Sequence, residues 1–521
     1  MREEGRLTNT GRRSQGASLA ILLLMLLLAA PRRGVNADIP ITGPPAPGMA
    51  SFDAIIPALM QKWQIPGGSV GVVKDGRLVL ARGYGWANQE ASLAVQPDSL
   101  FRIASLTKAI TAAAVFKLVE EGKLDLDAKA FPMLNDLQPP AAATVDSRIA
   151  NITVRELLDH SGGWNRYTTF DPMFISSQAA QAVGAPAPAS TQTVIRYMLG
   201  QPLQFDPGSQ YSYSNFGYAV LGRVIEKVTG QSYEEYIRTQ VLTPAGISCM
   251  RLARTQLKDQ AAGEVHYYDY PGSSPTQSVF PDVTQPVPSP YGGFYIEAMD
   301  SHGGWLASIV DLLLFITSVD GRGIRPSILQ PDTIKLMVSR PAVPLWAGSA
   351  SYDAGGWYVR PVGDDANWWH DGGLPGTTTF MVRAYNGLAW VALFNSRPSD
   401  SNTFTSELDN ALWQAVNGVT SWPPGDLFAQ FGGCGPQPTA PSIDSALFQA
   451  PKQLSISGAR FGDAPQVLIN SVDQTSFATS VSDTSIHLKG KPKKLGLRPG
   501  TNSLQVIDGA GRASNVFNLL L

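Results

Sequence analysis

The chain has 521 residues, 44% of them hydrophobic and 16% charged, with a formal net charge of -2. That length and apolar content support a large folded core and exclude a disordered chain. Lys and Arg are scattered rather than grouped into a stripe, which excludes a nucleic-acid partner, and 50 Gly with 39 Pro predict many turns and loops.

Arg12 and Arg13 precede an apolar run from Ala17 to Ala30, and Val35-Asn36-Ala37 supplies small residues at a cleavage position. The pattern predicts a signal peptide over residues 1–37 and a secreted or periplasmic chain starting near Asp38. The apolar run is short for a membrane span. Cys249 and Cys434 are the only cysteines. In an oxidising compartment they either pair, closing a long loop worth about 4–5 kcal/mol in the entropic picture, or stay as buried thiols, and the sequence does not choose. Neither has a histidine in metal-ligand spacing, so no metal or other cofactor is expected.

Val70-Gly71-Val72-Val73 and Leu78-Val79-Leu80 flank Asp75-Gly76 and predict a β-hairpin. The hairpin disposes of a decoy. Gly67-Gly68-Ser69-Val70-Gly71 matches a nucleophile elbow, but an elbow must lie between a strand and a helix, so Ser69 is read as structural. A second serine opens Ser105-Leu-Thr-Lys108, at the head of an apolar helix expected to end at Gly122. Residues three apart share a helix face, which sets the Lys108 amine beside the Ser105 hydroxyl. A serine needs a nearby base to become a nucleophile, and a desolvated lysine can serve. Ser-x-x-Lys arises by chance about once in a chain this long, so context must carry the assignment.

A shorter helix is expected after Thr153, halting at Ser161-Gly162-Gly163, with His160 capping its C-terminus. Residues 165–192 and 264–301 read as long irregular stretches of the kind that form binding walls. Tyr218 to Thr229 and Tyr233 to Val241 read as helices. From Trp357 strands return, with a turn at Asn386-Gly387, and Ser406 to Val416 forms an amphipathic helix. The Pro/Gly-rich residues 422–442 read as a linker. Residues 443–521 carry short β-type runs separated by turns, which predict a small β-sandwich.

Two further patches lie in order along the chain. Tyr213-Ser214-Asn215 precedes a helix, and His370-Asp371-Gly372-Gly373 leads through Pro375-Gly376 into a strand. Together with Phe101-Arg102-Ile103-Ala104-Ser105-Leu106-Thr107-Lys108, they resemble the serine β-lactamase and penicillin-binding superfamily. More narrowly, the chain resembles the class C β-lactamase and D-alanyl-D-alanine carboxypeptidase family, which also contains esterases and D-aminopeptidases. The stretches Leu118 to Leu124, Leu157 to Gly162 and Gly303 to Ser308 add to the likeness, which spans about residues 50–415.

The resemblance implies an α/β catalytic domain over residues 38–421. Its antiparallel sheet is built from both chain ends, flanked by helices, with a helical subdomain between. It implies Ser105 as nucleophile, Lys108 and Tyr213 (phenol or phenolate) sharing the base role, and the N–H groups of Ser105 and Gly373 as oxyanion hole. Asn215 is expected to bond the substrate amide or Lys108, and Gly372 and His370 to border the substrate. His370 is a departure, because class C enzymes usually carry Lys there; a mostly neutral imidazole shifts the expectation from β-lactams toward esters and peptides. The function implied is an exported serine hydrolase acting on an ester, a D-amino-acid peptide or, less well, a β-lactam. The alternative is a catalytically weak penicillin- or cell-wall-peptide-binding protein. Phe461-Gly462, Pro465 and Pro499-Gly500-Thr501-Asn502 resemble bacterial Ig-like domains of the transcription-factor-immunoglobulin type, whose expected role is spacing, or attachment to a cell surface or another protein. The oligomeric state is left open.

Overall fold

Every residue of the strands Thr377–Arg383 and Leu388–Phe394 is buried, so both faces of their sheet must be covered. The computed structural model describes residues 39–431, 441–459, 461–462, 465–482, 484–507 and 514–521. The expected signal segment and Cys434 lie outside these residues. Cys249 is disulfide-bonded and not a free thiol.

The chain begins the sheet with β1 (Ile41–Thr42), β2 (Gly67–Lys74), β3 (Arg77–Asn88) and the short β4 (Leu93–Ala94). A three-stranded sheet, ordered β5-β7-β6, combines β5 (Phe101–Arg102), β6 (Arg251–Leu252) and β7 (Trp305–Ala307). The main sheet then resumes with β8 (Tyr352–Ala354), β9 (Trp357–Val362), β10 (Asp365–Leu374), β11 (Thr377–Arg383) and β12 (Leu388–Phe394). Its order is β1-β3-β2-β12-β11-β10-β9-β8, with β4 on β3. Both ends of the catalytic region therefore meet at the β2–β12 pair, as expected.

Helix α1 (Ala50–Lys62) follows β1. Between the two halves of the sheet come α2 (Thr107–Glu120), α3 (Ala130–Met133), α4 (Val154–Leu158), α5 (Ser176–Val183), α6 (Thr191–Leu199), α7 (Asn215–Thr229), α8 (Tyr233–Ile237), α9 (Ile309–Val319) and α10 (Pro331–Met337); α11 (Ser401–Asn417) ends the domain. The strand period of two decides which layer each side chain joins. Trp390 and Phe394 of β12 pack with Phe52 of α1 and Leu412 of α11. Val391 and Leu393 face the other way, into the core of α2 and α9. Trp368 and Trp369 divide likewise between the two cores. Ser69 lies within β2, buried, and donates to the Arg82 carbonyl at 2.9 Å.

Several local expectations needed adjustment. The helix expected from Ser105 starts at Thr107, after a 3-10 turn over Ala104–Leu106 in which Ala104 takes a φ of 48°. Residues 165–192 are less irregular than expected. They contain α5, an Ala-rich run with Ala179 and Ala180 buried and Gly184 closing it at a φ of 69°, a helix that the flanking prolines obscure in sequence. The helix expected over Tyr233–Val241 stops at Ile237 and continues as a π-helical turn over Arg238–Leu242. The Pro/Gly-rich stretch starts packed on the main domain. Asp426 accepts from the Leu78 N–H at 3.1 Å, and the Arg325 guanidinium lies 4.5 Å from the Phe428 ring.

The C-terminal region forms β13 (Ser442–Gln449), β14 (Gln453–Ala459), β15 (Gln466–Ile469), β16 (Val472–Asp473), β17 (Ala478–Val481), β18 (Ser485–Lys489), β19 (Thr501–Ile507) and β20 (Phe517–Leu520). Two four-stranded sheets, β13-β14-β18-β17 and β16-β15-β19-β20, enclose a core of their own that includes Ile456, Val467, Leu488 and Val506. The arrangement is consistent with a β-sandwich. Buried Asn502 donates to the carbonyls of Arg498 and Gly500, which pins the expected turn.

The turn between β8 and β9 presses on the start of α2. Gly356 has a φ of 77°, and a Cβ there would stand 2.8 Å from the Ala109 nitrogen and the Lys108 carbonyl carbon. Gly356→Ala is therefore expected to destabilise the protein by about 2–6 kcal/mol, combining left-handed strain with backbone overlap. Gly122→Ala, at a φ of 66° with open space around it, is expected to cost only about 1 kcal/mol. Denaturant unfolding of the two variants checks the difference.

Candidate active site

The site is built where α2, α7 and β10 converge. The left-handed Ala104 turns the chain so that Ser105 reaches the surface partly exposed, while Lys108, one turn on, is fully buried. The Lys108 Nζ donates to Asn215 Oδ1 at 2.8 Å and to the His302 carbonyl at 3.0 Å, and lies 3.1 Å from Ser105 Oγ. Burial pushes the Lys108 amine down to about 7; Asp171 opposes the shift and Arg166 adds to it. A neutral amine has two N–H groups and one lone pair. Asn215 Oδ1 and the His302 carbonyl take the two hydrogens, which leaves the lone pair for the Ser105 hydroxyl.

Asn215 opens α7 and uses both ends of its amide. Its Nδ2 donates to Asp171 Oδ2 at 2.7 Å, and Arg166 lies 3.1 Å from the same oxygen. The Asp171 contact fixes the amide orientation, so Oδ1 must face Lys108. The contact with Lys108 is one of the two expected for Asn215. Tyr213 is two residues before α7, partly exposed, with its ring 4.8 Å from Lys108 Nζ and its hydroxyl hydrogen-bonded to Ser105. Burial raises the phenol well above its ordinary range, outweighing the Ser105 bond.

Strand β10 forms the third wall. It pairs with β9 only over Asp365–Trp369, while its His370–Leu374 half pairs with β11 alone. The second edge of that half is left without a strand partner beside Ser105. A Cβ on Gly372 would stand 3.0 Å from the Ser105 nitrogen and 2.9 Å from the Ile103 carbonyl oxygen; only glycine admits this approach. Thr379, opposite Gly372, donates to the same Ile103 carbonyl at 2.9 Å and ties β11 to the serine turn. Gly373 is exposed. His370 is 2% exposed, donates from Nδ1 to the Asp371 carbonyl at 2.5 Å and has its ring 6.2 Å from that of Tyr213. Burial, with Lys108 adding to it, pushes the imidazole down to about 3. At position 370 the site thus has a neutral ring set back from the surface.

All the residues singled out in sequence (Ser105, Lys108, Tyr213, Asn215, His370, Gly372 and Gly373) meet at this place. Sequence reasoning missed Asp171, Arg166 and the carbonyl role of His302. Asp171 and Arg166 sit in the irregular stretch after residue 165, and a backbone carbonyl leaves no mark in side-chain identity. No cluster of three or more potential metal ligands occurs among the described residues.

A partly exposed serine beside a buried amine, with a strand edge brought against it at a glycine, is the arrangement of a serine hydrolase of the β-lactamase and penicillin-binding type. Residues 52–411 match the Beta-lactamase family model, and the chain belongs to that family. Protein flp of Staphylococcus aureus (strain COL) is 31% identical over 229 residues, 44% of this chain and 42% of that protein. The chain thus spans less than half the length of that relative. Penicillin-binding protein 4 of Amycolatopsis lactamdurans is 27% identical over 379 residues, 70% of this chain and 88% of its own. Among solved structures, the D-amino acid amidase of Ochrobactrum anthropi SV3 complexed with D-phenylalanine superposes with a TM-score of 0.55 at 21% identity, covering 71% of this chain and 99% of that one. At that identity the likeness concerns the fold.

The Lys108 amine takes up a proton as pH falls through about 7, so Ser105 is expected to lose its base on the acid side. Fluorophosphonate labelling of Ser105 should slow about tenfold per pH unit below that point. Lys108→Arg, whose guanidinium cannot release a proton, should slow labelling about 10²–10⁴-fold and remove the acid limb. A labelling rate independent of pH between 5 and 8 in the wild type would rule out Lys108 as the base.

Proposed function

We propose that this protein is an exported serine hydrolase that forms an acyl-enzyme on Ser105 and cleaves esters and D-amino-acid amides or peptides in preference to β-lactams. The observation that carries the reading is the Lys108 amine, held 3.1 Å from Ser105 Oγ and lowered to about 7. Ser105 Oγ attacks the substrate carbonyl carbon as its proton passes to Lys108 Nζ. The oxyanion is received by the N–H groups of Ser105 and Gly373. As the tetrahedral intermediate collapses, the leaving oxygen or nitrogen takes the Tyr213 hydroxyl proton, and Tyr213 recovers one from the Lys108 ammonium. Water then attacks the ester carbonyl, giving its proton to Lys108, and Ser105 leaves with a proton returned from the same amine.

The preference among substrates rests on His370. A buried neutral imidazole offers no fixed positive charge to a β-lactam carboxylate, and a D-amino acid amidase is among the similar folds. Export rests on the apolar run of residues 17–30 and the small residues 35–37. The C-terminal sandwich is read as an Ig-like spacer or attachment module, because none of its described residues adds a side chain to the site.

A fluorescent fluorophosphonate should label the wild type and not Ser105→Ala. A panel of p-nitrophenyl esters, D-Ala-D-Ala peptides and nitrocefin should show turnover of the first two and slow turnover of nitrocefin. Absence of Ser105-dependent labelling, or nitrocefin hydrolysis faster than ester cleavage, would overturn the reading. Labelling without turnover of any member would favour a binding protein.

A further inference from the structure

Tyr213 is gripped from both sides by His160, the residue at the end of a helix in the Leu157 to Gly162 stretch. His160 follows α4 with a φ of 55° and is 1% exposed. Its carbonyl accepts the Ser212 N–H at 2.8 Å, and its ring Nδ1 accepts the Ser214 N–H at 3.0 Å. One residue thus takes the amides on either side of Tyr213. Its ring also packs 4.6 Å from the Tyr213 ring at 33°, and 5.1 Å from that of Tyr218.

The grip requires a particular protonation state. A ring nitrogen that accepts carries no proton, so the hydrogen of the neutral ring is on Nε2. Nε2 lies 3.9 Å from Asp353 Oδ2, a buried carboxylate that accepts the Tyr211 hydroxyl at 2.9 Å. Burial pushes the imidazole well below its ordinary range, with Lys108, His370 and Arg166 acting the same way, and Tyr213 and Tyr218 wall the ring in. The acceptor form is therefore kept across ordinary pH.

We propose that His160 is the positioning residue of the acyl-transfer site: it clamps the Ser212–Ser214 backbone so that the Tyr213 hydroxyl stays aimed at Ser105 and the departing group. The proposal rests on the proton-donor role given to Tyr213 above. That role makes it separable from a general packing effect. A phenol out of place should penalise a leaving group that needs a proton and spare one that does not.

The test uses the full chain and the best ester of the turnover panel, prepared with ethanol and with p-nitrophenol as leaving groups. His160→Phe keeps a ring and removes the acceptor. It is expected to lower kcat for the ethyl ester at least about tenfold more than for the p-nitrophenyl ester, with KM little changed. His160→Asn supplies a carbonyl acceptor and tolerates the left-handed backbone, so its ratio of the two rates should stay within about threefold of wild type. Equal losses on both esters in His160→Phe would mean packing alone and overturn the proposal. So would a shift in His160→Asn as large as that in His160→Phe, and the asparagine variant decides the matter if the phenylalanine variant does not fold. Turnover that survives Ser105→Ala would instead indict the acyl-enzyme reading, a separate failure.

Discussion

An amine taken out of water must find acceptors or give up its charge, and the Lys108 site is arranged around that constraint. Two acceptors, Asn215 Oδ1 and the His302 carbonyl, take its hydrogens, and the third neighbour is the Ser105 hydroxyl. Neither acceptor is a carboxylate, so charge is not held on the nitrogen by direct contact. The acid that acts most strongly on Lys108, Asp171, stands one step away behind Asn215 and is bonded there, with Arg166 beside it. A carboxylate in direct contact would have kept the amine charged and unable to take a proton.

The rest of the domain serves to hold that arrangement dry and in register. Helix α2 is buried along most of its length, so it must run through the centre of the domain with apolar partners all round. Gly356 lets the β8–β9 turn touch its first residues, and Gly372 lets β10 lie against the serine turn. Each of these contacts fixes one atom of the site against backbone, where no side-chain freedom remains to be lost. The exposed part of the site is correspondingly small: Ser105, Tyr213 and Gly373 reach solvent, while Lys108, Asn215 and His370 are buried.

Much of this was legible in the sequence. Ser105 and Lys108 declare themselves by three-residue spacing on an apolar helix, and the strands by alternation around Asp75-Gly76 and Asn386-Gly387. The glycines of the His370 segment were expected to border the substrate; one of them, Gly372, also lies against the Ser105 nitrogen. Helix α5 escapes the sequence reading because its Ala-rich turns lie in a short segment flanked by prolines. The start of α2 was placed two residues early because Ala104, a strong helix former, takes a left-handed φ that tertiary contacts impose. His160 was read as the end of a helix, which describes its backbone and says nothing of its ring.

What the amino-acid sequence determined by itself was the set of chemical groups, the family pattern and the order of the secondary elements, because those depend on residue type and local spacing. What only the tertiary structure decided was which groups pair. Asn215 contacts Lys108, His370 lies back from the surface, and Asp171, His302 and His160 join the site from distant segments. The physical reason is that burial and orientation set the charge of an amine, a phenol or an imidazole, and both arise only when segments far apart in the chain close around them.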